Sequence, residues 1–206
     1  MPLPNQYSTV SPKNALFSFS ELQTGLSYRT FFFGGYQETT TNYPVLTTQQ
    51  TVGVYTFQET TSTPEYATFI SSAFDLPATM KGRVYLDLSA KMVSTFGGWG
   101  VYANFTYEIF KYSGATATSL GSGSITSYDL QTGNTTKYKA TTGIIDISNE
   151  VYFAVGDKIQ IKIGIYKTNV NDTYGSAGTL TFLGDPLQQD VNAIIASKCH
   201  IPFLTE

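Results

Sequence analysis

The feature that most constrains the fold of this chain is a run of alternating isoleucines near its C-terminal end. Apolar residues alternate with mostly polar ones in the order Ile159, Gln160, Ile161, Lys162, Ile163, Gly164, Ile165 and Tyr166. Successive side chains of a β-strand point to opposite faces, so this pattern predicts a strand with one face in a core. The Val155-Gly156-Asp157 sequence before it predicts a tight turn.

Two further segments alternate in the same way and extend the predicted core. The even positions from Val84 to Met92 are apolar, and so are most odd positions from Trp99 to Ile109. This alternation is typical of antiparallel strands with one solvated face. We therefore predict that the core contains Val84, Leu86, Leu88, Trp99, Val101, Phe105, Ile159, Ile161, Ile163 and Ile165.

The rest of the chain also consists of strand-like runs separated by turn residues, and no segment has a helical period. Gly34-Gly35 predicts a turn that ends a strand at Phe33. The composition of the segment 113–128 predicts a weak edge strand, and within it Gly121 and Gly123 predict a flexible turn. Eight to ten predicted strands without helices favour an all-β fold, a single antiparallel β-sandwich over residues 14–206.

Residues 1–13 form a separate segment, which we predict to be an extended N-terminal arm. The arm contains Pro2, Pro4, Tyr7 and Pro12 and has no alternation. Proline lacks the backbone N–H that a central strand needs. We expect the arm to contact a neighbouring subunit in an assembly.

The charge content excludes several classes of partner. Charged residues make up 13% of the 206 residues, with 12 Lys and Arg against 15 Asp and Glu. A phosphate-binding surface needs clustered basic residues, so we expect no nucleic-acid partner. No apolar run reaches the length of a membrane helix, and the N-terminus lacks a basic segment followed by an apolar one. We therefore expect no membrane partner and no signal peptide, with synthesis in a cytoplasm.

Catalytic motifs are not apparent in the sequence. His200 is the one histidine, it follows the one cysteine, Cys199, and there is no G-x-S-x-G motif. Adjacent strand residues point to opposite faces, which disfavours a metal site made by this pair. We predict a buried Cys199, a structural or exposed His200, no catalytic residue, no metal, no cofactor and no enzymatic activity.

Aromatic residues suggest a binding alternative. Trp99 lies among Gly97, Gly98 and Gly100. An indole beside glycines can stack on a sugar ring, and Tyr102 could contribute to the same site, although Trp99 also fits the core pattern. Three glycosylation sequons begin at Asn104, Asn134 and Asn171. We attribute them to chance, because the chain is rich in Thr and Asn and glycosylation needs a translocation route.

Three segments carry a resemblance to a known class of proteins. The segment from Val155 to Tyr166, the Gly178–Pro186 segment and Ile201-Pro202-Phe203 are similar to sequences of viral jelly-roll virion proteins, the capsid, decoration or spike subunits of tailed phages and archaeal viruses. The resemblance implies a jelly-roll type of sandwich.

The same resemblance implies a structural role in a virion, as a capsid decoration or minor capsid subunit with other capsid proteins as partners. A neutral surface rich in Tyr and Thr favours a closed homo-oligomer, and the resemblance favours a trimer. The alternative function is a glycan-binding receptor-recognition or spike module that uses Trp99 and exposed tyrosines to contact host glycans.

Overall fold

The computed structural model describes residues 26–38, 41–49, 53–59, 64–94, 99–131, 135–169, 178–185 and 196–204. These residues form eleven strands and no helix: β1 (Leu26–Glu38), β2 (Thr41–Thr47), β3 (Tyr55–Glu59), β4 (Glu65–Ser71), β5 (Ala78–Ser94), β6 (Trp99–Ser113), β7 (Thr116–Gln131), β8 (Thr135–Phe153), β9 (Lys158–Asn169), β10 (Gly178–Gly184) and β11 (Lys198–Leu204). Within the described ranges, therefore, no helix could span a membrane.

The strands confirm the predicted all-β fold and are consistent with a sandwich. They are connected by hydrogen bonds in the order β3-β10-β5-β11-β1-β2-β4-β9-β6-β7, and β8 pairs with the other edge of β5. The pairs are antiparallel except for β2 with β4, which are parallel at Val45 and Ile70. At this parallel pair the sheet passes from one layer, which contains β1, β5, β8 and β11, to the other, which contains β4, β6, β7 and β9.

Ring packing and a hydrogen bond connect the two layers across the core. The Phe33 ring of β1 packs edge-on against the Phe69 ring of β4, with centroids 4.9 Å apart. The Tyr107 hydroxyl of β6 accepts a hydrogen bond of 3.2 Å from the backbone N–H of Ile144 in β8. The core therefore lies between the layers, and most of the described side chains on the other face of each layer are half-buried or exposed.

The predicted core is confirmed wherever its side chains are described. Eight of its members are fully buried, namely Val84, Leu86, Leu88, Phe105, Ile159, Ile161, Ile163 and Ile165. The side chains of Trp99 and Val101 lie outside the described set, although their backbones belong to β6. The predicted turn at Val155-Gly156-Asp157 is also present, with Gly156 at φ 92° and the Asp157 carboxylate accepting a 2.8 Å hydrogen bond from the Ala154 N–H.

Two predictions about glycines are wrong. Strand β1 does not end before Gly34-Gly35 but continues to Glu38. Gly35 donates a 3.2 Å hydrogen bond to the carbonyl of Gly53, an approach that a Cβ on Gly53 would obstruct. These glycines therefore permit a close backbone contact and do not form a turn.

Gly121 and Gly123, predicted to form a flexible turn, lie inside β7. The Tyr107 ring occupies the space beside Gly123 and Gly143, where added Cβ atoms would come within 2.5 and 2.6 Å of it. The glycines of β7 and β8 thus make room for a large aromatic ring between the layers.

The predicted arm, residues 1–13 with Pro2, Pro4, Tyr7 and Pro12, lies outside the described residues. Its contact with a neighbouring subunit stays a prediction, as does the division of the chain at residue 13.

Candidate functional site

The outer face of β1, β11, β5 and β8 carries a row of polar and aromatic side chains. The strand register places Thr30 opposite His200, His200 opposite Tyr85, and Tyr85 opposite Ile144. The residues that flank His200, Cys199 and Ile201, are fully buried, so the alternation of the strand turns the His200 imidazole outward. These four strands therefore bring distant parts of the chain to one surface.

Within this row, a hydroxyl, an imidazole and a carboxylate lie in sequence. Thr30 Oγ1 is 2.9 Å from His200 Nδ1, and His200 Nε2 is 3.6 Å from Asp87 Oδ2. All three side chains are half-buried. An imidazole with a hydroxyl on one ring nitrogen and a carboxylate on the other is the arrangement that activates a nucleophile in many enzymes. We call Thr30, His200 and Asp87 the outer-face triad.

The surroundings of Asp87 keep its carboxyl ionised. The interaction with His200 lowers the pKa of Asp87 most, and Thr142 and Lys198 lower it further, against the opposing effect of partial burial. Thr142 Oγ1 donates a 2.9 Å hydrogen bond to Asp87 Oδ1, and Lys198 Nζ lies 3.9 Å from Oδ2. The negative charge that faces His200 is therefore fixed at neutral pH.

A shallow groove of about 540 Å³ lies next to the triad on the same face. Its lining includes Tyr28 and Tyr85, whose ring centroids are 6.0 Å apart. Arg83 and Asp146 form an exposed ion pair of 2.8 Å at the groove. Because Tyr85 is the direct neighbour of His200 across the ladder, a molecule in the groove would lie close to the triad.

The residues predicted to stack on glycans belong to the other layer. Trp99 and Tyr102 lie in β6, opposite Gln131 and Tyr128 of β7, and their side chains are outside the described set. The structure does not bring them to the outer-face triad, and their role in glycan stacking stays a prediction.

Of the three sequons, Asn104 lies within the described residues. Its side chain is buried, with Nδ2 donating to Thr168 Oγ1 at 2.8 Å and Oδ1 accepting from Thr126 at 2.7 Å. Both polar atoms of the Asn104 side-chain amide are therefore hydrogen-bonded.

Cys199 is buried as predicted, and burial raises the pKa of its thiol well above the usual range. His200, on the opposite face of β11, was predicted to be structural or exposed, and its position between Thr30 and Asp87 was not foreseen. Among the described residues, no group of three or more His, Cys, Asp and Glu side chains is arranged to hold a metal ion.

Sequence reasoning missed the triad because its members lie far apart in the chain. Thr30 and His200 are 170 positions apart and meet because β1 pairs with β11. Alternation places Asp87 on the polar face of its strand, which is a usable signal. The strand order that brings β5 next to β11 has no signal in a single sequence.

Comparisons with known proteins identify structures with a similar fold but no related sequence family. No known protein family and no curated protein matches the sequence. Several solved structures share the fold. An α-amino acid ester hydrolase aligns with 85% of this chain at a TM-score of 0.58 and 11% identity. A CocE/NonD family hydrolase from Staphylococcus aureus aligns with 87% of this chain at a TM-score of 0.53 and 10% identity.

An aminopeptidase from a marine sediment archaeon, Thaumarchaeota archaeon, aligns with 84% of the chain at a TM-score of 0.53 and 7% identity. The chain spans little more than a third of each of these three proteins, 36%, 37% and 36% of their lengths. Infectious bursal disease virus structures also match, but at TM-scores of 0.26 to 0.28, too low to support an argument.

These neighbours correct the functional predictions. The matches to viral capsid structures are too weak to support the resemblance to virion proteins, whereas the matches with TM-scores above 0.5 are to hydrolases. The predicted role as a capsid or decoration protein is contradicted by these matches, and so is the prediction that the chain is not an enzyme. At such low identity the matches show the fold alone, so an activity has to be argued from this chain's own residues.

Proposed function

We propose that this chain is a hydrolase that cleaves carboxylic esters at the outer-face triad. Thr30 is the nucleophile, His200 the general base, and Asp87 the carboxylate that orients His200. The observation that carries the proposal is the 2.9 Å distance from Thr30 Oγ1 to His200 Nδ1, with the Asp87 carboxylate on the other ring nitrogen at 3.6 Å.

The ionised carboxylate of Asp87 decides which ring nitrogen carries the proton. A negative charge beside Nε2 favours the tautomer protonated at Nε2. Nδ1 is then unprotonated and accepts the hydrogen bond that the Thr30 hydroxyl donates. Thr30 is thereby paired with a base that can take its proton.

The reaction follows from this pairing. As Thr30 Oγ1 attacks the ester carbonyl carbon, its proton passes to His200 Nδ1, and the protonated imidazole then gives that proton to the departing alkoxide as the carbon–oxygen bond breaks. The acyl group remains on Thr30. A water molecule that loses a proton to His200 attacks the acyl carbon, and release of the acid restores the Thr30 hydroxyl.

The exposure of the site sets the range of substrates. The triad lies on the outer face of a sheet and is half-buried, so water reaches the oxygen on which negative charge develops. Stabilisation of that charge is weaker in water than in an enclosed, preorganised site. We therefore expect hydrolysis of esters with good leaving groups and much slower hydrolysis of amides.

The small share of each hydrolase that this chain matches favours a second candidate function. Because the chain matches little more than a third of each hydrolase, it could act as the β-sandwich domain of a larger hydrolase whose catalytic groups lie elsewhere. In that case the triad residues contribute to stability alone.

Hydrolysis of p-nitrophenyl acetate by the purified chain separates the two candidates. Thr30→Val keeps the shape of the side chain and removes the nucleophile, His200→Gln removes the base, and Thr30→Ser retains a hydroxyl. Thr118→Val, at an exposed position of β7, is the matched control.

If the proposal is correct, Thr30→Val and His200→Gln lower kcat/KM by roughly 100-fold or more, whereas Thr30→Ser and Thr118→Val keep activity. Equal rates in all folded variants, or no rate above that of buffer in the wild type, contradict the proposal and favour the second candidate.

A further inference from the structure

A carboxyl and an amino group lie together inside the sandwich, away from the triad. Glu59 is the last residue of β3, and Lys167 lies in β9. Their side chains are 0% and 2% exposed, and Lys167 Nζ is 3.9 Å from Glu59 Oε2. Both groups are therefore enclosed by protein.

Two strand neighbours of this pair are apolar. Glu59 lies opposite the buried Leu180 of β10, and Lys167 opposite the buried Ala103 of β6. Neither carboxyl oxygen of Glu59 has a hydrogen-bond partner among the described residues. Burial raises the pKa of Glu59 most, and the nearby Glu65 raises it further, whereas the charge and the backbone N–H of Lys167 lower it.

An ion pair is poorly stabilised in such a place. Removing two charges from water costs several kcal/mol for each, and the attraction compensates for it only with close geometry and further hydrogen bonds. A distance of 3.9 Å and two oxygens without partners do not meet that condition. Amide formation would remove both charges from this enclosed site, because an ammonium and a carboxylate are replaced by one neutral group.

We propose that Glu59 and Lys167 form a covalent amide crosslink. Lys167 Nζ bonds to Glu59 Cδ, two protons of the ammonium pass to the carboxylate oxygen that departs, the bond from Cδ to that oxygen breaks, and one water molecule leaves. The fixed proximity of the two groups replaces an encounter in solution. The exclusion of water from the site opposes the reverse hydrolysis.

The crosslink would connect the two layers of the sandwich. Strand β3 belongs to the layer of β10 and β5, and β9 to the layer of β4 and β6. The bond would close a loop from residue 59 to residue 167, and closing so long a loop restricts the unfolded chain strongly.

The test is the mass of the full chain under denaturing, reducing conditions. The crosslink predicts a mass lower than that of the sequence by one water, about 18 Da. Trypsin should then release a branched peptide that joins residues 30–81 to residues 163–198, without cleavage after Lys167. Lys167→Met removes the amine and keeps an apolar stem, and Lys81→Met, which removes a surface ion pair with Glu150, is the matched control.

The proposal predicts the deficit of one water in the wild type and in Lys81→Met and the full mass in Lys167→Met. It also predicts a fall in the Tm of Lys167→Met of roughly 10 °C or more, because the unfolded chain gains freedom. The full sequence mass in the wild type, with separate linear peptides around residues 59 and 167, overturns the proposal whether or not the variant folds.

Discussion

The hydroxyl of Thr30 and the imidazole of His200 meet at 2.9 Å although 170 positions separate them in the chain. The two side chains lie close together because β1 pairs with β11 in a register that places Thr30 directly opposite His200. The adjacent ladder between β11 and β5 adds Asp87 to the same face. The triad thus rests on two strand pairings and not on a local motif.

The alternating isoleucines should tolerate truncation poorly. Ile163 is fully buried between Ala67 of β4 and Tyr107 of β6. Ile163→Ala should lower the free energy of unfolding by roughly 2–5 kcal/mol because it leaves a cavity. Urea unfolding measures the loss, with Gln160→Ala on the solvent face as the control. A loss below about 1 kcal/mol would show that the strand does not pack as described.

The position of Tyr107 predicts a steric cost at one glycine of β7. An added Cβ at Gly123 would come within 2.5 Å of the Tyr107 ring, which is held on its other side by Gly143. Gly123→Ala should therefore destabilise the chain by roughly 1–3 kcal/mol. Ser122→Ala, at the exposed neighbouring position, should have a small effect in the same thermal-unfolding measurement. Equal effects of both changes would argue against this packing.

The strands could be predicted largely from the sequence, whereas the candidate site could not. Alternation from Ile159 to Ile165 is a local pattern, and it correctly identified both the strand and its buried face. The turn predicted at Gly34-Gly35 is wrong because glycine occurs at close backbone contacts as well as in turns, and a single sequence does not distinguish the two. The pairing of β1 with β11 depends on the packing of the whole chain, so no local pattern could bring Thr30 to His200.

The depressed pKa of Asp87 predicts a pH dependence of stability. A carboxyl whose folded pKa lies below its unfolded value contributes stability above the unfolded pKa and loses it as pH falls through the folded pKa. Asp87 has such a lowered pKa, caused first by His200. The difference in unfolding free energy between the wild type and Asp87→Asn should therefore stay constant above about pH 5 and shrink as pH falls from about 5 to well below about 4. A difference that stays constant over this range would mean that His200 and Thr142 do not stabilise the ionised form.

The burial of Cys199 predicts an unreactive thiol in the folded chain. Its side chain is fully buried in β11, and burial raises the pKa of the thiol. Since the thiolate is the reactive form, a disulfide reagent such as Ellman's should not react with the native chain. One equivalent should react in concentrated urea. Fast reaction of the native chain would show that β11 opens readily.

Acylation of Thr30 tests the central claim most directly. The chain is mixed with p-nitrophenyl acetate, quenched in acid and digested with a Glu-specific protease, which releases residues 22–38 as one peptide containing Thr30 and no lysine. Fragmentation of this peptide in the mass spectrometer locates any acetyl group. We predict an acetyl group on Thr30 in the wild type that is absent from His200→Gln, because the base is required to activate the hydroxyl. An unmodified Thr30 in the wild type, or equal acetylation in both proteins, would contradict the account.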